Sequence, residues 1–202
     1  MNKTPFNPEY QLNNIEGKII TVLERISESF RVLLWNEGKQ HGLSPIQVQI
    51  LIFLTFHEDE KRKVSYLADE FNMTKATISD AVKTLEKKDL ILKEYAPNDT
   101  RSYFIHLTDK GQKISNQVAN FTQELQHPIS KLDDQAQKDM LQHMLGIIKH
   151  LNKANIITVQ RMCFSCSYYQ EKRDQHFCKL LNQQLQSSEI RVDCPEHQHQ
   201  IG

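Results

Sequence analysis

Apolar residues early in the chain recur at steps of three and four. From Gln11 to about Lys39, Leu12, Ile15, Ile19, Val22, Leu23, Ile26, Phe30, Leu33 and Leu34 keep this spacing, which predicts one long amphipathic helix. So long a helix exceeds what a small core needs, and part of its stripe is expected to pack on a second subunit. Gly42 marks its stop, and Ser44-Pro45 supply the cap and first position of the next helix, Pro45 to about Phe56. There Ile46, Val48, Ile50, Leu51, Ile52, Phe53, Leu54 and Phe56 wrap most of the way round, as in a buried central helix.

After the charged link HEDEKRK the elements shorten. VSYLADEF places Val64, Leu67, Ala68 and Phe71 on one face, NMT makes a tight turn, and Thr74 is an N-cap candidate for the following helix. In that helix Ile78, Ala81, Val82 and Leu85 point inward. Opposite them stand Ala76, Asp80, Lys83 and Lys87, flanked by Lys75, Thr77, Ser79 and Thr84. The period then falls to two. DLILKEYAP and SYFIHL read as strands, with Leu90, Leu92, Tyr103, Ile105 and Leu107 alternating with their neighbours and PNDTR as the turn. Helix, turn, helix and two-stranded ribbon is the order of a winged helix-turn-helix, in a mainly α fold with a small β wing.

Thr108 caps the next helix, Asp109 to about Leu125, striped by Ile114, Val118, Phe121 and Leu125, which His127-Pro128 is expected to break or kink. A second long helix follows LDD, carrying Met140, Leu141, Met144, Leu145, Ile147, Ile148 and Leu151 toward Ile156 and Ile157. The predicted organisation is an N-terminal helix expected to pack on a second subunit (11–43), a winged helix-turn-helix domain (44–111), C-terminal helices (112–158) and a cysteine-rich tail (159–202).

Composition adjusts this picture in two ways. With 39% hydrophobic and 25% charged residues, most of the 202-residue chain should fold, as one domain plus an extension. A net charge of zero does not announce a nucleic-acid binder, and from Glu60 to Lys110 ten Lys and Arg face nine Asp and Glu. The basic residues nevertheless cluster where phosphates would run: Lys61, Arg62 and Lys63 at the entry, Lys75 and Lys83 on the helix, Arg101 in the turn. Modest, salt-sensitive DNA affinity is expected. No apolar run is long enough to span a bilayer and the N-terminus lacks a signal-peptide core, so no membrane partner and a cytoplasmic location are expected.

The helix face from Thr74 to Thr84 has the chemistry that major-groove entry needs: small residues for close approach, with hydroxyls and amines to reach phosphates and base edges. Its candidate contacts are Thr74, Lys75, Ala76, Thr77, Ser79, Asp80, Lys83 and Thr84; a merely solvated face is the bland alternative. Asp80 repels phosphate and could usefully accept only from cytosine N4. No Ser/His/Asp order, Gly-rich phosphate loop or HExxH stretch is present, so an enzyme is not expected.

All four cysteines, Cys163, Cys166, Cys178 and Cys194, lie in the tail, with two, eleven and fifteen residues between successive members. A C-x-x-C pair offers two thiolates from one turn and the other two complete a tetrahedral set, so zinc is the leading cofactor. An iron–sulfur cluster, which would make a redox or iron sensor, is the alternative, followed by reversible disulfides. His176 and His197 are neighbours that could replace one thiolate. Phe164, Tyr168, Tyr169 and Phe177 are expected to pack around the site, and metal loss is expected to alter subunit geometry and DNA binding.

The pattern Pro97-x-Asp99-x-Arg101, five further residues, then Leu107-Thr108-x-x-Gly111, behind a helix ending LEKKDLI, resembles the wing signature of the MarR family of dimeric winged-helix transcription regulators. The resemblance covers about residues 11–155. It implies a homodimer on a pseudo-palindromic double-stranded DNA operator, with Lys75 to Lys88 in the major groove and Arg101 reaching the minor groove or backbone. Asp99 would orient the wing and hold Arg101. It also implies that a small-molecule effector could bind between the dimerisation and DNA-reading parts. Asp80 departs from the usual basic or small residue and Asp89 from the usual glycine. The cysteine tail is no usual part of the family pattern.

Overall fold

The computed structural model describes residues 3–96, 99–157, 161–173 and 175–199, apart from the side chains of residues 96 and 99–101. Helix α1 (Pro8–Leu12) stops at Asn13, and Asn14 caps α2 (Ile15–Gln40) by accepting the Gly17 N–H at 2.6 Å. The expected single N-terminal helix is thus two, because Asn14 competes for the backbone and opens a new first turn. Gly42, at φ 63°, reverses the chain after α2. Helix α3 (Pro45–Phe56) begins where Gln47 accepts the Ser44 N–H at 3.0 Å.

Helices α4 (Val64–Glu70) and α5 (Lys75–Lys87) form the helix-turn-helix, and β1 (Ile91–Ala96) pairs antiparallel with β2 (Asp99–Leu107) as the wing. Val48, Ile50, Leu51, Leu67, Ile78, Val82, Leu85 and Ile105 are wholly buried in one core, which fixes α5 against α3, α4 and the ribbon. One strand face differs from the expected alternation. Ile91, not Leu92, turns to the core with Ile105, and Leu92 is exposed. Asp89 sets this phase by taking a left-handed φ of 59° at the helix-to-strand corner, the conformation that a glycine would adopt without strain.

Thr108 caps α6 (Asp109–Val118) by accepting the Gly111 N–H at 3.0 Å. Gly111 lies so close to the wing's root that a Cβ there would stand 1.8 Å from the Leu90 carbonyl oxygen. Ser115 donates to Leu51 O at 3.0 Å and binds α6 to α3. The next break falls earlier than Pro128: residues Ala119–Thr122 tighten to a 3-10 turn, and α7 (Gln123–Ser130) holds Pro128 within its last turns. Helix α8 (Asp134–Lys153) ends short of Ile156, where Asn155 turns left-handed at φ 55°.

Residues 161–199 form a small lobe around a three-stranded antiparallel sheet, β3 (Tyr169–Lys172), β4 (Gln175–Cys178) and β5 (Gln183–Leu185). Its core joins Met162, Cys166, Tyr169, Leu185 and Ile190 to Leu145 of α8, with Phe164 and Tyr168 partly buried beside them. Of the four aromatics expected to pack together, Phe164, Tyr168 and Tyr169 belong to this core, with aliphatic residues of the lobe and of α8, and Phe177 does not.

Candidate nucleic-acid interface and cysteine lobe

Helix α5 presents its polar face to solvent because its four inward residues are committed to the core. Thr74 accepts the Thr77 N–H at 3.1 Å and its hydroxyl meets that of Thr77 at 2.8 Å, which orders the N-terminal turn. Thr74, Lys75, Ala76, Thr77, Asp80 and Lys83 are exposed, and Ser79 and Thr84 are half-buried. Asp80 is not a bare carboxylate, since Lys83 Nζ lies 3.1 Å away, one turn on; Thr84 donates to Asp80 O at 2.9 Å. The pair occupies the middle of the face, so the cation offered to phosphates at its N-terminal end is Lys75.

The entry cluster is differently employed. Lys61 faces Glu58 at 3.7 Å, Arg62 binds Asp59 at 2.6 Å and the His57 carbonyl at 2.7 Å, and Lys63 lies over the Phe104 ring at 4.4 Å. Arg62 O also accepts the Ile105 N–H at 2.9 Å. The Arg62 carbonyl and the Lys63 side chain thus brace the wing, whereas Lys61 and the Arg62 guanidinium are engaged within 57–62. Lys63 and Lys75 nevertheless share a groove of about 320 Å³ with Ser65, Ser102 and Tyr103, between the starts of α4 and α5 and the ribbon. The last three escaped sequence reasoning because only the fold brings them beside α5. Lys93 ties the ribbon to the end of α5 through Glu86 at 2.6 Å and covers the Tyr103 ring at 5.0 Å. The side chains of Asp99 and Arg101, and residues 97–98, lie outside the described residues.

In the lobe, Cys163, Cys166, Cys178 and Cys194 line one cavity of about 30 Å³, which apolar groups including Tyr169 and Leu185 help to close. That volume suits one or two water-sized occupants. Burial pushes the Cys163 thiol up, the Arg191 N–H at 3.3 Å from its sulfur works the other way, and the other three cysteines add to the upward push. Cys194 is also raised by burial, against the Arg191 guanidinium 3.5 Å from its sulfur. Without a cation these groups hold their protons, and metal binding would release them.

The spacing of the cysteines suggests a ready-made four-thiolate shell. Among the described residues, no group of three or more His, Cys, Asp and Glu side chains is arranged so that it could hold a metal ion. The four sulfurs face a common space without being drawn into a ligand shell. His176 and His197 line other surroundings: His176 Nδ1 meets the Tyr169 hydroxyl at 2.6 Å, and His197 Nε2 meets the Ser165 hydroxyl at 3.0 Å. Beside the four thiols, Glu189, Glu196 and the Arg191 guanidinium also line the cavity.

Sequence reasoning also missed Arg161. This residue is 7% exposed and sits where the lobe meets the helix-turn-helix. Its Nε and Nη2 donate to the two Asp193 oxygens at 2.7 and 2.9 Å, and its Nη1 and Nη2 reach the Glu70 carboxylate of α4. Nη1 also donates to the Tyr66 hydroxyl at 3.1 Å. Burial opposes the Arg161 charge, but these hydrogen bonds outweigh it and raise the guanidinium above its ordinary value. Burial likewise works against the Asp193 carboxylate; Arg161 and His57 overcome it and bring Asp193 down to about 2. His57 Nδ1 lies 2.9 Å from the Phe53 carbonyl, which can only accept, so that nitrogen carries hydrogen and Nε2 faces Arg161 and Asp193.

Residues 43–111 match the family of winged helix DNA-binding domains. The chain is 28% identical over 102 residues to the HTH-type transcriptional regulator MgrA of Staphylococcus aureus, covering 50% of this chain and 68% of that protein. To the HTH-type transcriptional regulator MhqR of Bacillus subtilis it is 26% identical over 119 residues, 58% of this chain and 81% of that protein. Among solved structures, the S. aureus MepR–DNA complex superposes with a TM-score of 0.57 at 22% identity, over 65% of this chain and 96% of that one. A MarR family regulator from Listeria monocytogenes, described as putative and complexed with 26mer DNA, gives 0.55 at 23% identity, over 68% and 88%. The fold is the winged helix of MarR-family structures.

Proposed function

We propose that this protein is a DNA-binding transcription regulator of the MarR type, acting as a homodimer on a double-stranded operator. The observation that carries the reading is the exposed face of α5: ordered hydroxyls and Lys75 at a capped N-terminus, beside a braced two-stranded wing. Such a face can enter the major groove while the wing meets the backbone or minor groove. The sequence relatives are transcriptional regulators and two of the similar structures hold DNA, which supports a regulator over an enzyme. Its proposed place of action is the cytoplasm; among the described residues no helix is long and apolar enough to cross a membrane. The test is retardation of DNA from the neighbourhood of its own gene. A complex that weakens steeply between low and moderate salt is expected. Absence of any complex at low salt would transfer the reading to a protein-interaction module.

The dimer is supported by α2, whose buried residues are Gly17, Leu34 and Gly38, while Ile15, Ile19, Val22 and Phe30 stand exposed along one face. An uncovered apolar row of this length favours a second subunit as its cover. Ile19→Asp should shift the protein to monomer in sedimentation; an unchanged mass would place the interface elsewhere.

Within the same reading the lobe takes up zinc, its four thiols closing on their shared cavity. Zinc would supply the crosslink that a small lobe with a thin core otherwise lacks. About one zinc per chain in colourless protein is the expected analysis. Absorption near 400 nm in protein purified without oxygen would assign an iron–sulfur cluster instead.

A further inference from the structure

The cysteine lobe meets the DNA-reading head at a buried cation, Arg161, beside the His57–Asp193 contact, and the residues that follow Arg161 lead directly into the cysteines. Arg161 stands two residues before Cys163, and its carbonyl accepts the Cys194 N–H at 2.8 Å. The Cys163 N–H in turn donates to Arg191 O at 3.1 Å, and the Arg191 N–H lies 3.3 Å from the Cys163 sulfur. Residues 161–163 and 191–194 are therefore stitched side by side, with a cysteine at the end of each. Asp193, next to Cys194, supplies one carboxylate to Arg161, and Glu70 of α4 supplies the other.

We propose that the lobe regulates the DNA-reading head through Arg161. With 161–163 and 191–194 stitched together beside the thiols, Asp193 holds the guanidinium in the plane that engages Glu70 and Tyr66, and α4 is pinned against the lobe. Opening the lobe at the thiols separates 191–194 from 161–163 and takes Asp193 away. Glu70 then faces a guanidinium that is no longer oriented, and α4 is freed from its outer side. Since α4 is the helix on which α5 packs through Leu67, Ala68, Ile78 and Val82, the loosening reaches the recognition helix. The argument for energetic weight is burial: a charge removed from water and held by two carboxylates leaves a large penalty when one partner is withdrawn.

The inference rests on the reading of the head as DNA-binding, so its primary measurement does not use DNA. Hydrogen exchange is followed in the full-length protein at residues 64–87, for the wild type, Arg161→Met, Cys194→Ser and the double variant. Each single variant should speed exchange in α4 about fivefold or more, and the double should be no faster than the faster single, because both act at one joint. Glu70→Gln serves as a second route, since it removes the anchor on α4 without touching the lobe interior. Unchanged exchange in α4 in both Arg161→Met and Glu70→Gln would overturn the proposal, as would full additivity of Arg161→Met and Cys194→Ser. Operator affinity is the second measurement: it should fall in Cys194→Ser by a similar factor. If the wild type binds no DNA at all, the DNA reading fails while the exchange data still decide the coupling.

Discussion

The head and the lobe are stabilised by different means. In the head, Val48, Ile50, Leu51, Leu67, Ile78, Val82, Leu85 and Ile105 from four elements interlock with no exposure, and the polar groups serve mainly to start helices and brace the ribbon. In the lobe, the buried hydrophobic residues among those described are Met162, Cys166, Tyr169, Leu185 and Ile190, and part of their cover is Leu145 of α8. The rest of its order comes from a stitched backbone, four facing thiols and an ionic joint. A segment of this size buries too little apolar surface to stand alone. The contrast separates roles: the head has the rigidity needed to present α5 in one pose, whereas the lobe is held by groups whose chemistry can change.

The sharpest way to break this comparison is to make the same substitution in both cores. Leu51→Ala removes a side chain with no exposure at the centre of the head, and should cost about 3 kcal/mol in urea unfolding of the whole head. Leu185→Ala in the lobe should cost about 2 kcal/mol or less, because the thin lobe can collapse around the gap. Its loss of protection should appear only in residues 161–199 by hydrogen exchange. Equal, global effects of the two would show a single cooperative unit and remove the distinction.

DNA contact should divide along the same line. Lys75→Ala, at the exposed start of α5, should weaken operator binding and lower the salt slope by about one. Lys179→Ala, exposed on the lobe, should leave the slope unchanged. A slope that responds to Lys179 and not to Lys75 would place the nucleic-acid surface on the lobe.

The two regions also differ in how far the sequence announces them. Helices α3 and α5, the Thr74 and Thr108 caps and the inward set Ile78, Ala81, Val82 and Leu85 are all readable, because local periodicity and capping chemistry coincide there with tertiary burial. Asn14 hides a helix break inside a continuous apolar stripe, and the choice of Ile91 over Leu92 depends on the left-handed turn at Asp89. Neither has a periodic signature. In the candidate interface, the exposed face of α5 follows from its period, but the engagement of Lys61 and Arg62 with Glu58 and Asp59, and of Lys63 with the Phe104 ring of the wing, does not. The lobe is announced only by its cysteines. Arg161 gives no signal at all, since its partners Tyr66 and Glu70 lie some ninety positions away in the chain.

The smallest expected effect tests whether the lobe's seat on α8 is as weakly held as its thin core suggests. Lys149 of α8 pairs with Glu171 of β3 and lies 5.0 Å from the centre of the Phe164 ring. The hydrogen bond from Lys149 holds the Glu171 carboxyl below its ordinary value, against the opposing effect of burial. A carboxylate with a lowered folded-state pKa stabilises the fold above its ordinary value of 4.5, and that contribution is lost as pH falls through the lowered value. Lys149 and Glu171 keep 24% and 33% side-chain exposure, so solvent screens much of the attraction and Lys149→Met should cost about 0.5 kcal/mol near neutral pH. The loss should shrink below pH 4.5, where the wild type also surrenders the pair. Lobe unfolding measured by hydrogen exchange across that range gives both numbers. A loss above about 2 kcal/mol, or one independent of pH, would mean that the α8 contact is a major support of the lobe and that its order does not depend chiefly on the thiols.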